Sequence, residues 1–286
     1  MNSQYQHLAE SLNRVHVKLE LLSSNLDGLT SRVSEMEKGT KVMIPEQKPP
    51  LPQPLVSNMR SYCIFGPSST TLDISEDFKN IEGSMIFVTL VGGGGSGSVG
   101  STSMSGMLSG AGGGAGETIH RRIISLAGCT GKLMITAGGG GNESSPNGGD
   151  SSIEPEMEDN SRVKITAKGG ASGHNQFGGA GALSSIYPVS SVFDGQNGKD
   201  GVLQSSPGQS TVEGGAGGNS YFAQGGRGGY SYFIKDSFDR TILSPKGEDG
   251  TYGSGGGGSI PGISKDFVSK GGDGMVIIEY TLSELN

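Results

Sequence analysis

The apolar residues of the first forty positions fall at Tyr5, Leu8, Leu12, Val15, Leu19, Leu22, Leu26, Leu29, Val33 and Met36, alternately three and four residues apart without a break. A 3.5-residue repeat kept up over this length predicts a parallel coiled coil across residues 1–40. Tyr5, Leu12, Leu19, Leu26 and Val33 take the a positions, and Leu8, Val15, Leu22, Leu29 and Met36 the d positions. The stripe is narrower than the face a helix usually presents to a globular core, which is the alternative reading.

Beyond Met59 the pattern changes. Short apolar runs, among them "SYCIF", "TTLDIS", "SMIFVTLV", "ETIHRRIISL", "GKLMITA", "SRVKITA", "SSIYPVSSV", "GYSYFIKD" and "GMVIIEYTL", are separated by glycine-dense loops. The loops are Gly92 to Gly116, Gly138 to Asp150, Gly169 to Gly181, Gly214 to Gly229 and Tyr252 to Gly274. No stretch here has a 3.6-residue period, so residues 59–286 are expected to form an all-β head. The fold class is therefore mainly β, with a coiled-coil stalk at 1–40 and a Pro-rich linker at 41–58. "IPEQKPPLPQP", Ile44 to Pro54, supplies the linker with prolines that favour an extended spacer and also contain a P-x-x-P spacing.

Leucine at both a and d does not specify two strands. In "RVSEME", Arg32 falls at g and Glu37 at the following e, so the pair bridges neighbouring helices, as in a short trimer-forming signature. Met36 stands where that signature prefers a branched aliphatic residue. The expected assembly is a homotrimer.

Composition sharpens the problem of the loops. Of the 53 glycines, 49 lie in the last 196 residues, one in four against about 7% on average. Such a chain is either disordered between its apolar runs or packed through its backbone. Extended segments of polyproline II geometry can lie side by side and bond to each other when no Cβ intervenes. "GAGGGAGE" and "GGAGGNS" are the strongest candidates for such an interior, giving a β-sandwich with polyproline II-like glycine loops.

A formal charge of −7 gives no basic footprint for nucleic acid. No apolar run reaches the roughly 18 residues of a membrane span, and no signal-peptide pattern opens the chain, so cytosolic synthesis is expected. Cys63 and Cys129 lack metal spacing and are expected to be two buried thiols.

The motifs that suggest chemistry are weak. Gly95, Gly97 and Gly100 spell G-x-G-x-x-G after an apolar strand, but the following residues are too rich in glycine for the helix a dinucleotide turn requires. "GCTGK" reads as a turn before "LMITA". "EPEMED", Glu154 to Asp159, lacks the ligand register of a calcium loop and reads as a solvated acidic loop. "GQNGKDG", Gly195 to Gly201, reads as a local turn, and one arginine in "GGRGGYSYF" does not make an RNA-binding segment. His7, His16, His120 and His174 show neither zinc spacing nor an anchor for a triad. The chain is expected to be no enzyme, with no metal and no cofactor.

"YCIFGPSSTTLDISEDFKNIEGSMIFVTLVGGGGSG", "SGAGGGAGETIHRRI", "KLMITAGGGG" and "SKGGDGMVIIEY" together resemble the glycine-rich domain of phage tail fibres, adhesins and large DNA virus virion proteins. The likeness covers Ser61 to Tyr280. The acidic segment around "SSIEPEMEDN" and the length of the loop before "GGYSYF" depart from it. The resemblance implies a virion component, a short trimeric fibre whose head mediates attachment. Its partners would be copies of itself, other virion proteins and a host surface receptor or glycan. Candidate receptor contacts are His174, Gln176 and Phe177 in "SGHNQFGG", Tyr221 and Phe222 in "GNSYFAQGG", and Arg227, Tyr230 and Tyr252. A minor capsid or cementing protein is the alternative within the virion. A cellular glycine-rich scaffold or RNA-associated protein is the alternative of another class.

Overall fold

Alternation along β-strands sets the frame of the head. The computed structural model describes residues 59–78, 81–103, 106–184, 191–206, 209–234, 240–244, 246–261 and 268–282. The expected coiled coil at 1–40 and linker at 41–58 lie outside these residues. In chain order the strands are β1 (Met59–Phe65), β2 (Ser68–Asp73), β3 (Met85–Val91), β4 (Ser101–Ser103), β5 (Gly106–Leu108), β6 (Thr118–Ser125), β7 (Cys129–Ala137) and β8 (Ser151–Met157). They continue with β9 (Ile165–Ala167), β10 (Val192–Phe193), β11 (Val202–Ser206), β12 (Gln209–Glu213), β13 (Tyr230–Ile234), β14 (Arg240–Ser244) and β15 (Met275–Thr281). No helix among the described residues is long and apolar enough to cross a membrane.

Two antiparallel sheets, ordered β1-β15-β3-β6-β10 and β2-β7-β8-β9, share one apolar core. In β7, Cys129, Leu133, Ile135 and Ala137 point inward while Thr130, Lys132, Met134 and Thr136 point out. Period-2 patterning thus assigns each side chain to a face. Ile86, Val88 and Leu90 of β3 and Val276, Ile278 and Tyr280 of β15 supply the opposing face. Each such side chain, fully buried, contributes about 1.5–3 kcal/mol by leaving water. The Tyr280 hydroxyl donates to Asp77, and burial holds it protonated far above the usual phenol range.

"EPEMED" is a correction. Glu154 to Met157 continue β8, with Ile153 and Pro155 buried and Glu156 outward, where Thr130 donates to it at 2.9 Å. Pro155 faces Leu133 of β7 and lies beyond Ser151, Ser152 and Ile153, the stretch of β8 that β9 pairs. One cysteine differs from expectation too: both are free thiols and Cys129 is buried, but Cys63 is exposed.

From these sheets the glycine segments leave as extended arms outside any ladder. The arm 92–98 shows their organisation. Its N–H groups at Gly92, Gly95 and Ser98 donate to carbonyls of Glu117, Gly114 and Ala111. Those at Gly93 and Ser96 donate to Gly149 and Pro146, and those at Gly94 and Gly97 to Gly272 and Ser269, all at 2.8–3.1 Å. Every third residue therefore faces the same neighbour. The carbonyls of this arm accept from three others: Gly93 and Ser96 from Gly170 and Gly173, Gly94 from Gly141, and Gly95 and Ser98 from Gly256 and Ser259.

Two further arms are enclosed in the same way. Along 109–117, Gly110, Gly113 and Gly116 donate to Ser259, Gly256 and Gly253, while Gly112 and Ala115 donate to Lys199 and Gln196. Along 253–259, Gly255 and Gly258 donate to Gly218 and Gly215. The interior of the head beyond the sheets is thus hydrogen-bonded backbone, which satisfies buried polar groups without side chains. The requirement for glycine is steric. A Cβ on Gly95 would stand 2.1 Å from the carbonyl oxygen of Ala171, and one on Gly255 would stand 1.9 Å from that of Gly113.

At the rim, side chains replace the missing neighbour. Asp194, Asn197 and Asp200 accept the N–H groups of Ser184, Gly181 and Gly178 at 2.7–2.8 Å. Asn147 and Asp150 accept those of Ser172 and Gly169 at 2.9 Å. "GQNGKDG" is therefore no local turn: it is an arm whose outward residues recur every third position.

Candidate functional site

Outer arms return through turns, and most of the expected contact residues lie on those turns. Asn175 and Tyr252 adopt positive φ, 50° and 45°, within them. The turn at 174–177 closes through two reciprocal backbone bonds, His174 to Phe177 and Phe177 to His174, both 2.9 Å. It stands at the end of the arms away from the two sheets, level with Ala111 and Gly201, whose N–H groups donate to Asn175 and Gln176. Phe177 is 60% exposed there, beside exposed His174 and half-buried Gln176.

The turn at 220–223 points the other way, back onto the sheets. Tyr221 packs on Phe193 of β10 with ring centres 4.4 Å apart, on His120 of β6 at 5.2 Å and edge-on to Phe222 at 4.9 Å. Phe222 also meets His120 at 6.1 Å. Ring pairs at these separations stabilise one another beyond the area they bury. Tyr221 nevertheless keeps 49% of its surface in solvent. The Nδ1 of His120 is buried and has no partner.

Tyr252 also lies toward the sheets, 6.2 Å from Phe65 at the end of β1, and both rings are about half exposed. Arg227 sits on the outer arm 223–229, its N–H directed to Glu248 Oε2 at 3.3 Å and its carbonyl accepting from Glu248 at 2.8 Å. Tyr230 opens β13 and is half buried.

The eight expected contact residues are thus dispersed. His174, Gln176 and Phe177 share one turn, Tyr221 and Phe222 another, and Tyr252, Arg227 and Tyr230 stand elsewhere. Three partners escaped the sequence reading: His120, Phe193 and Phe65. Each belongs to a strand and meets its turn only through the fold, so no local signal marks it.

The G-x-G-x-x-G stretch is accounted for by packing. Cβ atoms at Gly97 and Gly100 would stand 2.1 Å from the carbonyls of Gly257 and Leu108. Glu117, 1% exposed, accepts the Lys168 N–H on Oε2 at 3.1 Å, while its Oε1 is buried without a partner. Among the described residues no three His, Cys, Asp or Glu converge on a point that could hold a metal ion.

No curated protein matches this sequence. The family model of a glycine-rich domain matches residues 75–281, from just after β2 to the end of β15, and so takes in most of the shared core and the glycine arms. The chain belongs to the glycine-rich domain family.

Proposed function

We propose that this chain is a non-enzymatic attachment protein of a virion, a short trimeric fibre in which the stalk joins three heads and the turns of the glycine arms engage the target. The observation that carries the reading is the presentation of exposed aromatic residues, Phe177, Tyr221 and Tyr252, on turns fixed by backbone hydrogen bonds. A turn held in this way loses little entropy on binding, so weak contacts retain more of their energy. Tethering three heads multiplies the effect through effective concentration, by factors on the order of 10²–10⁴ in avidity. The three-residue repeat of the arm bonds supports polyproline II-like arms over a β-sandwich base. The virion setting rests on the resemblance to tail fibres and large-virus proteins.

Light scattering of the full chain is expected to give the mass of three chains, and of residues 41–286 the mass of one. Labelled full-length protein should label whole cells of the host far more strongly than the truncated head. A full chain that is monomeric, or a head that binds as well without the stalk, contradicts the proposal.

A further inference from the structure

We propose that the groove between the 138–150 arms and the arms at 246–251 and 268–274 binds a neutral saccharide; the inference deepens the attachment reading by naming a ligand class. The groove has a volume of about 600 Å³, within the range of small-molecule sites. Pro67 and glycine backbone form part of its wall, and its polar lining is Asn142, Ser145, Asn147, Asp249, Lys270 and Asp273.

Four of these side chains are fixed by backbone amides. Asn142 Oδ1 accepts the N–H groups of Ser144 and Ser145 at 2.9 and 3.0 Å, and Asn147 Oδ1 accepts that of Ser172 at 2.9 Å. Asp249 Oδ1 accepts the Lys270 N–H at 2.8 Å and lies 3.4 Å from the Lys246 ammonium. Asp273 Oδ1 accepts the Gly140 N–H at 2.7 Å. Each side chain therefore uses one polar atom, Asn142 to hold its own turn and the others to hold an arm, and keeps its second for an outside partner: a carboxamide NH₂ on each asparagine, a carboxylate oxygen on each aspartate. None can turn away without releasing a backbone amide.

The ligand class follows from this balance. A phosphate would meet two carboxylates, and a simple cation would meet two NH₂ groups and the Lys270 ammonium. A hydroxylated neutral molecule uses donors and acceptors together, since each hydroxyl is both. Saccharides also present flat C–H faces, and the exposed rings of Phe65 and Tyr252, 6.2 Å apart, lie two residues along the chain from the lining residues Pro67 and Gly250. Pre-fixed polar groups lower the ordering cost of binding.

The test is saturation-transfer NMR and calorimetry of the full chain with lactose, maltose and N,N′-diacetylchitobiose, with sialyllactose and calcium chloride as charged comparisons. At least one neutral disaccharide is expected to bind. The double variant Asp249→Asn/Asp273→Asn keeps both Oδ1 acceptors and replaces the free acceptors with donors. It should weaken that binding at least tenfold while amide exchange in the arms is unchanged. Tyr252→Asn, which suits positive φ, removes one ring and should also weaken binding. Absence of binding by all three neutral sugars overturns the proposal. So does binding that survives both variants, or a preference for calcium or sialyllactose. If the chain still forms a trimer that labels host cells, only the saccharide site falls; if that assembly fails while the groove binds sugar, only the attachment reading falls.

Discussion

Asp273 accepts the N–H of Gly140 at 2.7 Å across 133 positions of sequence. The bond joins the arm leading into β15 to the arm leaving β7, and gives the Gly140 N–H a side-chain acceptor where the inner arm amides use backbone carbonyls. It exemplifies how the head closes its edges: glycine inside, where carbonyls are in contact, and Asp or Asn outside, where an oxygen must be supplied.

Replacing Asp273 with alanine leaves the Gly140 amide to water and should cost about 0.5–1.5 kcal/mol in chemical denaturation. Asp273→Asn retains the acceptor and should stay within about 0.5 kcal/mol of the parent. Equal losses in the two variants would show that the carboxylate acts through its charge.

Glycines inside and outside the arms should respond oppositely to a methyl group. Gly95→Ala drives a Cβ to 2.1 Å from the Ala171 carbonyl oxygen and 2.3 Å from its carbon, and both belong to backbone. The expected loss is at or above the upper end of the roughly 1–3 kcal/mol typical of overpacking. Gly83, with nothing within 4 Å of its added Cβ, should tolerate alanine or gain up to about 1 kcal/mol from reduced unfolded-state entropy. Thermal melts of the two variants decide the matter.

The arms should also shield a labile dipeptide. Asn197 precedes Gly198, and succinimide formation requires the Gly198 nitrogen to attack the Asn197 side-chain carbon, with loss of ammonia. In the head that N–H donates to Gly179 at 2.9 Å, and Asn197 Oδ1 accepts from Gly181 at 2.8 Å. Isoaspartate at Asn197 should accumulate slowly in native protein and quickly in urea, as peptide mapping would show.

Burial pushes the Cys129 thiol above the usual range, and partial burial does the same to Cys63. For a thiol so raised, the unfolded chain loses its proton first as pH climbs. The native state then holds more protons, and stability falls from the ordinary thiol range up to the folded value. Cys129→Ala should flatten this alkaline decline. In native protein iodoacetamide should label exposed Cys63 well before buried Cys129.

Much of the base was legible because β-strands write their burial into alternate residues. "GKLMITA" and "MIFVTLV" became β7 and β3, with Leu133 and Ile135, and Ile86, Val88 and Leu90, turned inward. "EPEMED" misled because acidic density and a proline signal a loop, while only the pairing of β8 with β7, Pro155 opposite Leu133, reveals a strand. The arms were legible as a packing problem but not as particular neighbours. A glycine run carries no side chain to specify which carbonyl it will meet. The signal that was present lies at the rim: Asp194, Asn197 and Asp200 recur every third residue, as do Asn147 and Asp150. The aromatic contacts of Tyr221 could not be read, since His120 and Phe193 approach it only in the fold.

Residue-resolved amide hydrogen exchange tests the backbone lattice most directly. The N–H groups of Gly93 to Gly97, Gly112 to Gly116 and Gly255 to Gly258 should exchange as slowly as those of the β3 core, because every one is bonded to a carbonyl of a neighbouring arm. Exchange at these glycines as fast as in an unstructured chain, with β3 still protected, would contradict the account.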